Sequence, residues 1–555
     1  MAARLRSLST SIAGWHGDER TVGTPLGDAE LVALRRTRLF GATGTVLMAI
    51  GALGAGARPV VQDPTFGVRL LNLPSRIQTV SLTMTTTGAV MMALAWLMLG
   101  RFALGERRMT RSQLDRTLVL WILPLLVAPP MYSKDVYSYL AQSQIAHNGQ
   151  DPYRVGPAPG LGLDHVFTLS VPSLWRETPA PYGPLFLWIG SGISELTGEN
   201  IVAAVLCHRL LVLLGVALIV WATPRLARRC GVAEVSALWL GAANPLLVMH
   251  LVAGIHNEAL MLGLMLAGVE FALRGIDSSR RLLPRPLLPL GARWGPAAML
   301  VLGAVLITMS SQVKLPSLLA LGFVAMALGH RWGSTVKAFF LASGGLGLLS
   351  LGVMAVIGWA SGLGFGWLST LGTANVVRSW MSPPTLLALG TGQVGILLGL
   401  GDHTTAVLSL TRSIGVLIIM VVVTWLLLAV FRGRLHPVGG LGVALGATVL
   451  LFPVVQPWYL LWAIIPLAAW ATRPGFRIAA IGGTLVVGIF GPTANGDRFA
   501  LFQIIDATLA STVIVLLLIA ITYHRLPWRA LPHGATSSTP ANSRNGPTDA
   551  YAESP

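Results

Sequence analysis

The chain has 555 residues, of which 54% are apolar and only 11% are charged, whereas soluble domains carry about 25% charged residues. This composition excludes an ordinary soluble protein and indicates an integral membrane protein. The formal net charge of +17 would favour nucleic acid as the partner of a soluble chain, but in a membrane protein it must first be compared with the topology.

Fourteen apolar runs are predicted to cross the bilayer, where a helix needs about 20 residues. A polar segment, 1–38, precedes them and shows no removable signal peptide. A tail at 531–555, rich in Ser, Thr, Pro, Asn and Gly, is predicted to be disordered. The sequence therefore predicts an all-α polytopic membrane protein with about 12–14 transmembrane helices within 39–530. The runs lie near 39–57, 78–99, 117–130, 201–222, 233–254, 257–275, 296–312, 315–330, 337–359, 407–431, 439–456, 458–472, 477–493 and 500–522.

The basic residues are distributed as the positive-inside rule requires. With the N-terminus in the cytoplasm, 28 of the 39 Lys and Arg residues fall in cytoplasmic segments, and nine fall outside against ten acidic residues. The net charge therefore marks topology and contact with anionic lipid headgroups, and no nucleic-acid partner is predicted. Arg209 lies within a span, where a buried partner and snorkelling to the interface both stay open.

Two long segments, 131–200 and 360–406, lie on the predicted outer side, whereas the cytoplasmic connections are mostly short and basic, with a Pro- and Arg-rich linker at 276–294. Apolar runs at 183–198 and 384–400 are predicted to be interfacial helices. A span at 183–198 would place the basic loop that follows it outside the cell, against the positive-inside rule. We therefore look for function on the outer side.

The first outer segment opens with PMYSKDVYSYL at 130–140, which places Asp135 directly after the third predicted span. A carboxylate at this depth can take a proton from a hydroxyl nucleophile whose reaction partner arrives from the lipid. The alternative is a helix N-terminus, since Ser133 and Asp135 both suit the start of the next helix. The residues alone leave both interpretations open.

Two further motifs follow in this segment, GQDPY at 149–153 and PYGPL at 181–185. Each alone is typical of a turn. The order of the three pieces, however, resembles the first luminal loop of GT-C glycosyltransferases that use polyprenyl-phosphate mannose. In that superfamily an acidic residue of this loop is the catalytic base, which implies this role for Asp135.

Further stretches resemble one family within that superfamily. They are 131–140, 241–258 (GAANPLLVMHLVAGIHNE), 311–316 (SQVKLP) and 456–462 (QPWYLLW). Together they are similar to the actinobacterial MptA/MptB family of polyprenol-phosphomannose-dependent α-(1→6)-mannopyranosyltransferases, and most of all to its MptB branch. The resemblance covers about residues 39–525 and implies a GT-C bundle in the plasma membrane, with cytoplasmic termini and an active site on the outer, periplasmic side.

The resemblance also implies a polyprenyl-phosphate-mannose donor, a phosphatidylinositol-mannoside-type glycolipid acceptor in lipomannan or lipoarabinomannan assembly, and no cofactor. A β-linked donor and an α-(1→6) product require one backside attack, with a base on the acceptor hydroxyl and cations on the leaving phosphate. Many GT-C enzymes carry paired acidic residues in the first loop, whereas here a single aspartate follows Lys134. Rivals for the base in the same segment are Asp151, Asp164 and Glu177.

Other outer residues have both a structural and a functional interpretation. His256 and Glu258 either cap the sixth span or orient the acceptor and assist Asp135. Asp151 and Tyr182 are further candidates for the acceptor site. The spacing of His, Cys, Asp and Glu predicts no metal site, apart from the loose His256/Glu258 pair.

Lys314 either snorkels to the interface or, with Arg378 and Arg498, binds the donor phosphate. Candidates for a sugar or lipid platform are Tyr137, Trp458 and Tyr459. For Trp458, Tyr459 and Trp462, an aromatic belt at the membrane interface is the favoured alternative.

A protein of another class, a transporter or flippase for a lipid-linked sugar, fits many of the same features. Against it stand the lack of an internal repeat, the paucity of charges at mid-membrane and the acid at the start of a long outer segment. A GT-C enzyme with another sugar or acceptor, such as an arabinofuranosyltransferase or a protein mannosyltransferase, is the nearer alternative.

Overall fold

The computed structural model describes residues 11–19, 23–278, 290–373, 379, 381–490 and 499–528, and this part of the chain is almost entirely helical. The α-helices are α1 Asp28–Ala55, α2 Arg69–Arg76, α3 Gln78–Leu104, α4 Arg111–Ile122, α5 Asp135–His147, α6 Pro157–Leu161, α7 Val166–Ser170, α8 Ser173–Arg176, α9 Pro184–Thr197, α10 Ile201–Arg229, α11 Glu234–Leu240, α12 Glu258–Ser278, α13 Leu290–Ser311, α14 Leu319–Arg331, α15 Val336–Ala360, α16 Pro383–Leu397, α17 Thr404–Phe431, α18 Pro437–Leu451, α19 Leu460–Ala468, α20 Pro474–Phe490 and α21 Leu501–Thr522.

Shorter elements connect these helices. Single 3₁₀ turns lie at Leu123–Leu126, Leu315–Leu318, Gly366–Thr370 and Pro457–Tyr459, and a π-helical turn lies at Leu247–Ala253. Two two-residue strands, β1 Thr24–Pro25 and β2 Arg107–Arg108, pair in parallel.

Seven of the described helices are long and apolar enough to cross a membrane: α1, α3, α10, α12, α15, α17 and α21. Five shorter apolar helical segments accompany them, at Gly295–Ser311, Leu315–Arg331, Pro437–Leu451, Pro457–Ala468 and Pro474–Phe490. The chain is therefore an integral membrane protein with an all-α bundle. Each of the fourteen predicted runs overlaps a helical segment, so the predicted fold class is confirmed.

Two predicted spans break in the middle of the run. In the run 117–130, α4 ends at Ile122 and a 3₁₀ turn follows that includes Pro124. In the run 233–254, α11 ends at Leu240, and the Asn244 side chain accepts a hydrogen bond from the Leu246 N–H at 2.9 Å. The π-helical turn that follows leads directly into residues 254–257, which belong to the site below.

Helix boundaries also differ from prediction near the N-terminal polar segment and the linker at 276–294. The first helix begins at Asp28 and not at 39, because the Glu30 carboxylate accepts the Gly27 N–H at 2.8 Å and closes the helix N-terminus. The linker predicted at 276–294 is shorter, since α12 continues to Ser278 and α13 begins at Leu290. The predicted tail at 531–555 lies outside the described residues.

Glycines allow the longest helices to pack closely. At the crossing of α1 and α3, a Cβ on Gly44 would lie 2.7 Å from the Gly88 carbonyl oxygen. Small residues commonly let transmembrane backbones approach in this way, where apolar burial gives no advantage over lipid.

The two ends of the bundle differ in character. The loop face is the end that carries residues 131–200, and the basic face is the opposite end. Backbone hydrogen bonds gather distant segments at the loop face: Ala57 N to Pro130 O at 2.7 Å, Met131 N to Ala253 O at 2.9 Å, and Gly183 N to Val313 O at 3.2 Å. At the basic face, ion pairs join Arg229 to Glu270 and Asp277, and Glu19 to Arg108 and Arg477.

The glycine crossing gives a prediction for stability. Gly88→Val should separate α1 from α3 and cost about 1–3 kcal/mol, as overpacking does elsewhere. The matched control is Gly344→Val in α15, where an added Cβ meets nothing within 4 Å. Thermal unfolding of the purified protein in detergent should show a lower midpoint for Gly88→Val than for Gly344→Val. Equal midpoints would show that the crossing is not tightly packed.

Candidate active site

Asp135 is the first residue of α5, and its carboxylate is not the group that caps this helix. The Ser133 hydroxyl accepts the hydrogen bond from the Asp135 N–H at 3.0 Å. The chain reaches this position through Tyr132, whose φ of 63° lies in the left-handed region that favours glycine. The Asp135 side chain, 29% exposed, is therefore free of a capping role and reaches the neighbouring turn.

That turn, residues 254–257, brings His256 opposite Asp135. Ile255 has a φ of 58°, which is rare for a β-branched residue and carries a strain of order 1–3 kcal/mol. A side chain on Gly254 would meet the His250 carbonyl oxygen at 2.5 Å and Met131 O at 3.0 Å. Strained backbone thus precedes both Asp135 and His256, a pattern that clusters at functional sites.

His256 lies between an acid and an aromatic ring. Its Nδ1 is 3.5 Å from Asp135 Oδ2, and its ring stacks on Trp458 with centroids 3.5 Å apart and planes 22° apart. Burial and the nearby Lys314 ammonium lower the pKa of His256 well below its usual value. The imidazole is therefore neutral at pH 7 and adds no positive charge beside Asp135.

Lys314 and Glu258 form a buried ion pair across the site. The Lys314 Nζ also donates to the Tyr459 hydroxyl at 3.0 Å, and it lies 4.6 Å from the centre of the Tyr459 ring. Burial lowers the pKa of Lys314, but the Glu258 carboxylate and Tyr459 outweigh this effect and raise the pKa above its usual value. Lys314 is therefore a permanently charged cation held in place.

These neighbours set the proton affinity of Asp135. Burial raises the pKa of the Asp135 carboxyl to about 6, and the Glu258 charge adds to the rise. The Lys314 ammonium and the Ser133 hydroxyl act in the opposite direction. A carboxylate with this pKa is ionised at pH 7 and is a better proton acceptor than an ordinary aspartate.

Several buried polar atoms around this cluster have no hydrogen-bond partner among the described residues. They are Tyr132 Oη, His256 Nε2, both amide atoms of Asn257, Glu258 Oε2, Gln312 Oε1, Trp458 Nε1 and Trp462 Nε1. Buried polar groups in native proteins are nearly always paired, so such a concentration of unpaired donors and acceptors is expected where a polar ligand binds. The set contains donors and acceptors, as recognition of sugar hydroxyls requires.

The PYGPL turn closes one side of the site. The Gly183 and Leu185 N–H groups donate hydrogen bonds to the backbone carbonyls of Val313 and Gln312. A Cβ on Gly183 would overlap the Gln312 backbone. Tyr182 packs edge-on against Tyr139 of α5, with centroids 4.9 Å apart. Glycine is thus required at 183 because two backbones touch there.

The GQDPY motif supports the PYGPL turn. Asp151 Oδ1 accepts the Tyr153 N–H at 2.9 Å, and its other oxygen pairs with Arg154 at 3.3 Å at the protein surface. The Tyr153 hydroxyl donates to Tyr182 O at 3.0 Å. The Asp151 carboxylate thus shapes a turn, as the Asp-Pro pair alone indicated, and its place at the acceptor site stays a prediction.

The structure brings seven of the predicted site residues together in one cluster. They are Asp135, His256, Glu258, Lys314, Tyr182, Trp458 and Tyr459. The rival acids Asp164 and Glu177 are exposed. Tyr137 points away, with its buried hydroxyl on Ala57 O at 2.5 Å. Arg378 and Arg498 lie outside the described residues.

Two features differ from the sequence interpretation. Trp458 and Tyr459 are only 4% and 9% exposed and pack on His256 and Lys314, so the favoured aromatic belt is wrong for them. Sequence reasoning also missed Gln312, although it belongs to the stretch 311–316 that carried the family resemblance. The described residues include no group of three His, Cys, Asp or Glu side chains that could hold a metal ion.

Comparison with known proteins defines the class. A family model described as "Alpha-(1->6)-mannopyranosyltransferase, N-terminal domain" matches residues 38–330, and one described as "MptB C-terminal domain" matches 384–520. The chain is 80% identical, over the whole of both chains, to a probable α-(1→6)-mannopyranosyltransferase of Mycolicibacterium smegmatis. It is 75% identical, again over the whole of both, to an α-(1→6)-mannopyranosyltransferase of Mycobacterium tuberculosis.

A more distant likeness is to a solved structure, the archaeal oligosaccharyltransferase of Archaeoglobus fulgidus, with 12% identity and a TM-score of 0.34 over 79% of this chain and 56% of that one. The family assignment rests on the sequence relatives. The apolar helical bundle and the sequence relatives define a membrane-embedded glycosyltransferase. Specifically, the chain belongs to the α-(1→6)-mannopyranosyltransferase family and is a membrane α-(1→6)-mannosyltransferase.

The buried ion pair gives a second prediction. Lys314→Met leaves the Glu258 carboxylate buried without its cation and should lower the free energy of unfolding by about 3–5 kcal/mol. The double variant Glu258→Gln/Lys314→Met removes both charges and should lose much less. Thermal unfolding of both proteins in detergent tests this; a double variant as unstable as Lys314→Met would show that the two charges do not stabilise one another.

Proposed function

We propose that this mannosyltransferase takes mannose from polyprenyl-phosphate-mannose and adds it to a phosphatidylinositol-mannoside-type glycolipid, extending the α-(1→6)-linked backbone of lipomannan. The observation that carries the proposal is the pairing of a reactive carboxylate, Asp135, with a fixed buried cation, Lys314, in one cluster of unpaired polar groups. The family resemblance supplies the donor and the acceptor.

Asp135 acts as the general base. The primary hydroxyl of the acceptor gives its proton to the Asp135 carboxylate as its oxygen attacks the anomeric carbon of the donor. The bond from that carbon to the phosphate oxygen breaks, and the phosphate leaves with the electron pair. A single displacement inverts the β-linked donor to an α-linked product and needs no carboxylate nucleophile, unlike a retaining glycosidase.

Lys314 stabilises the phosphate as it departs. Its ammonium is charged, partly buried and held by Glu258 and Tyr459, so little reorganisation is needed when negative charge develops on the leaving group. We propose that Arg378 and Arg498 also bind the donor phosphate. The ring faces of Trp458 and Tyr459, close to both Lys314 and His256, are proposed to hold the mannose.

The loop face is proposed to lie on the outer, periplasmic side of the plasma membrane, with both termini in the cytoplasm. The concentration of basic residues in the connections assigned to the opposite side supports this orientation. A lipid-phosphate donor also suits the architecture, because its prenyl chain stays in the bilayer while its mannose reaches Asp135.

Replacement of the base gives the direct functional prediction. Asp135→Asn should reduce mannosyl transfer about 10²- to 10⁴-fold, the usual contribution of a general base, without loss of folded protein. The matched control is Asp164→Asn, an exposed acid of the same segment, which should keep wild-type turnover. The measurement is radiolabelled mannose in a longer glycolipid, which also separates transfer from mere movement of the donor between leaflets. Near wild-type turnover in Asp135→Asn would place the base elsewhere.

The pH dependence follows from the raised pKa of Asp135. Since the ionised form is the base, kcat/KM should be constant above pH about 6 and fall tenfold per unit below it. His256→Asn should retain this inflection, because the pKa of His256 lies well below its usual range. Initial rates between pH 4.5 and 8 test this role of Asp135, with a check that activity lost at low pH returns at pH 7. A wild-type profile without a fall in rate at low pH would contradict it.

A further inference from the structure

A second cation centre lies on the other side of α5, in an apolar cavity that the reaction above does not use. The cavity has a volume of about 410 Å³ and opens between α1 and α10 at the loop face. Its wall is formed by aliphatic residues of both helices and by prolines of 124–130. Three of the wall residues, Val46, Ile50 and Leu206, are about two-fifths exposed on the lipid-facing surface.

Arg209 is the polar centre of this cavity. It is only 2% exposed, and its Nη1 donates to Leu126 O at 2.6 Å. Its Nε and Nη2 have no partner among the described residues. The sequence left open whether Arg209 snorkels or is buried; the structure shows a buried guanidinium with two unused donors at the cavity wall, which is a costly arrangement unless an anion binds there.

The rest of the cavity fits an anion with an apolar body. Arg58 also lines it, with Nη1 on Asp63 at 2.8 Å and Nε without a partner among the described residues. Two guanidinium groups face one carboxylate, so the polar end carries a net positive charge. Guanidinium groups bind phosphate oxygens in pairs, and the aliphatic wall suits a hydrocarbon chain entering from the bilayer.

The cavity lies on the face of α5 opposite the Asp135 carboxylate. Tyr137 lines it, two residues after Asp135 in α5. Two residues rotate a helix by about 200°, so Tyr137 and Asp135 point to opposite sides of the same turn. The cavity and the Lys314 centre therefore lie on opposite sides of α5, about one helix diameter, or about 10 Å, apart.

We infer that the Arg209 cavity binds the phosphodiester of the acceptor glycolipid, with its acyl chains along α1 and α10 and its sugars extending past α5 to Asp135. This inference rests on the proposed function, in which Lys314 serves the donor phosphate. It assigns one phosphate site to each lipid substrate and explains how a lipid-anchored hydroxyl is oriented toward the base.

The test compares two acceptors with the purified full-length protein. One is a dimannosylated phosphatidylinositol, and the other is an octyl α-(1→6)-dimannoside, which has no phosphate. Arg209→Gln should raise the KM for the first at least about tenfold and leave the KM for the second and for the donor unchanged. The matched control is Arg225→Gln, on the same helix at its other end, where the guanidinium stacks on Trp221 at 4.2 Å. It should change none of the three constants.

A second variant keeps the test valid if Arg209→Gln folds poorly. Ile50→Trp fills the cavity from the half-exposed lipid side and should give the same selective rise in KM for the phosphoinositide acceptor. An equal rise for both acceptors in the variants would mean that the cavity is only structural. A rise in the donor KM alone would assign it to the donor. Either result would overturn the inference.

A binding measurement separates this inference from the proposed function. Native mass spectrometry should show a phosphatidylinositol adduct on the wild type and a weaker one on Arg209→Gln. Neutral diacylglycerol, which has no phosphate, should bind the two proteins equally. A wild type that binds phosphatidylinositol through Arg209 but transfers mannose to neither acceptor would overturn the proposed donor and acceptor and still support a lipid-phosphate site. An adduct that is unchanged in Arg209→Gln would overturn the phosphate site itself.

Discussion

The buried ion pair between Lys314 and Glu258 is the contact on which the arrangement of the site depends. It joins the start of α12 to the turn that follows α13, and the Tyr459 hydroxyl connects both to the segment before α19. Buried charges are costly unless their hydrogen-bonding capacity is used. Because three separate segments meet to satisfy one ammonium group, His256, two residues before Glu258, is fixed opposite Asp135.

The stretch 130–140 contains a single acid, Asp135, and the fold brings a second acid close to it. Glu258 comes from a distant part of the sequence and lies close enough for its charge to raise the pKa of Asp135. Its own charge is offset by Lys314. The two carboxyl groups therefore differ in environment: Asp135 has a raised pKa, and Glu258 is paired with a cation.

The fold was largely predictable and the site only partly so. Apolar run length revealed the seven long apolar helices and the five shorter ones, since a bilayer imposes length directly, but the breaks at Pro124 and Asn244 depend on local geometry that hydropathy does not report. Asp135, His256 and Lys314 stood out because charges near hydrocarbon are rare. The pairing of Lys314 with Glu258 and the burial of Trp458 depend on tertiary contacts between segments more than 50 residues apart, which periodicity cannot show.

We propose that a base at Asp135 and a cation at Lys314 invert a mannosyl phosphate in a single displacement. The most direct measurement is to give the purified wild-type protein synthetic β-mannosyl-phosphoryl-polyprenol and a short α-(1→6)-mannoside, and to determine the anomeric configuration and linkage of the product by NMR. We expect one new α-(1→6)-linked mannose for each donor consumed. A β-linked product, or donor hydrolysis without transfer, would contradict it.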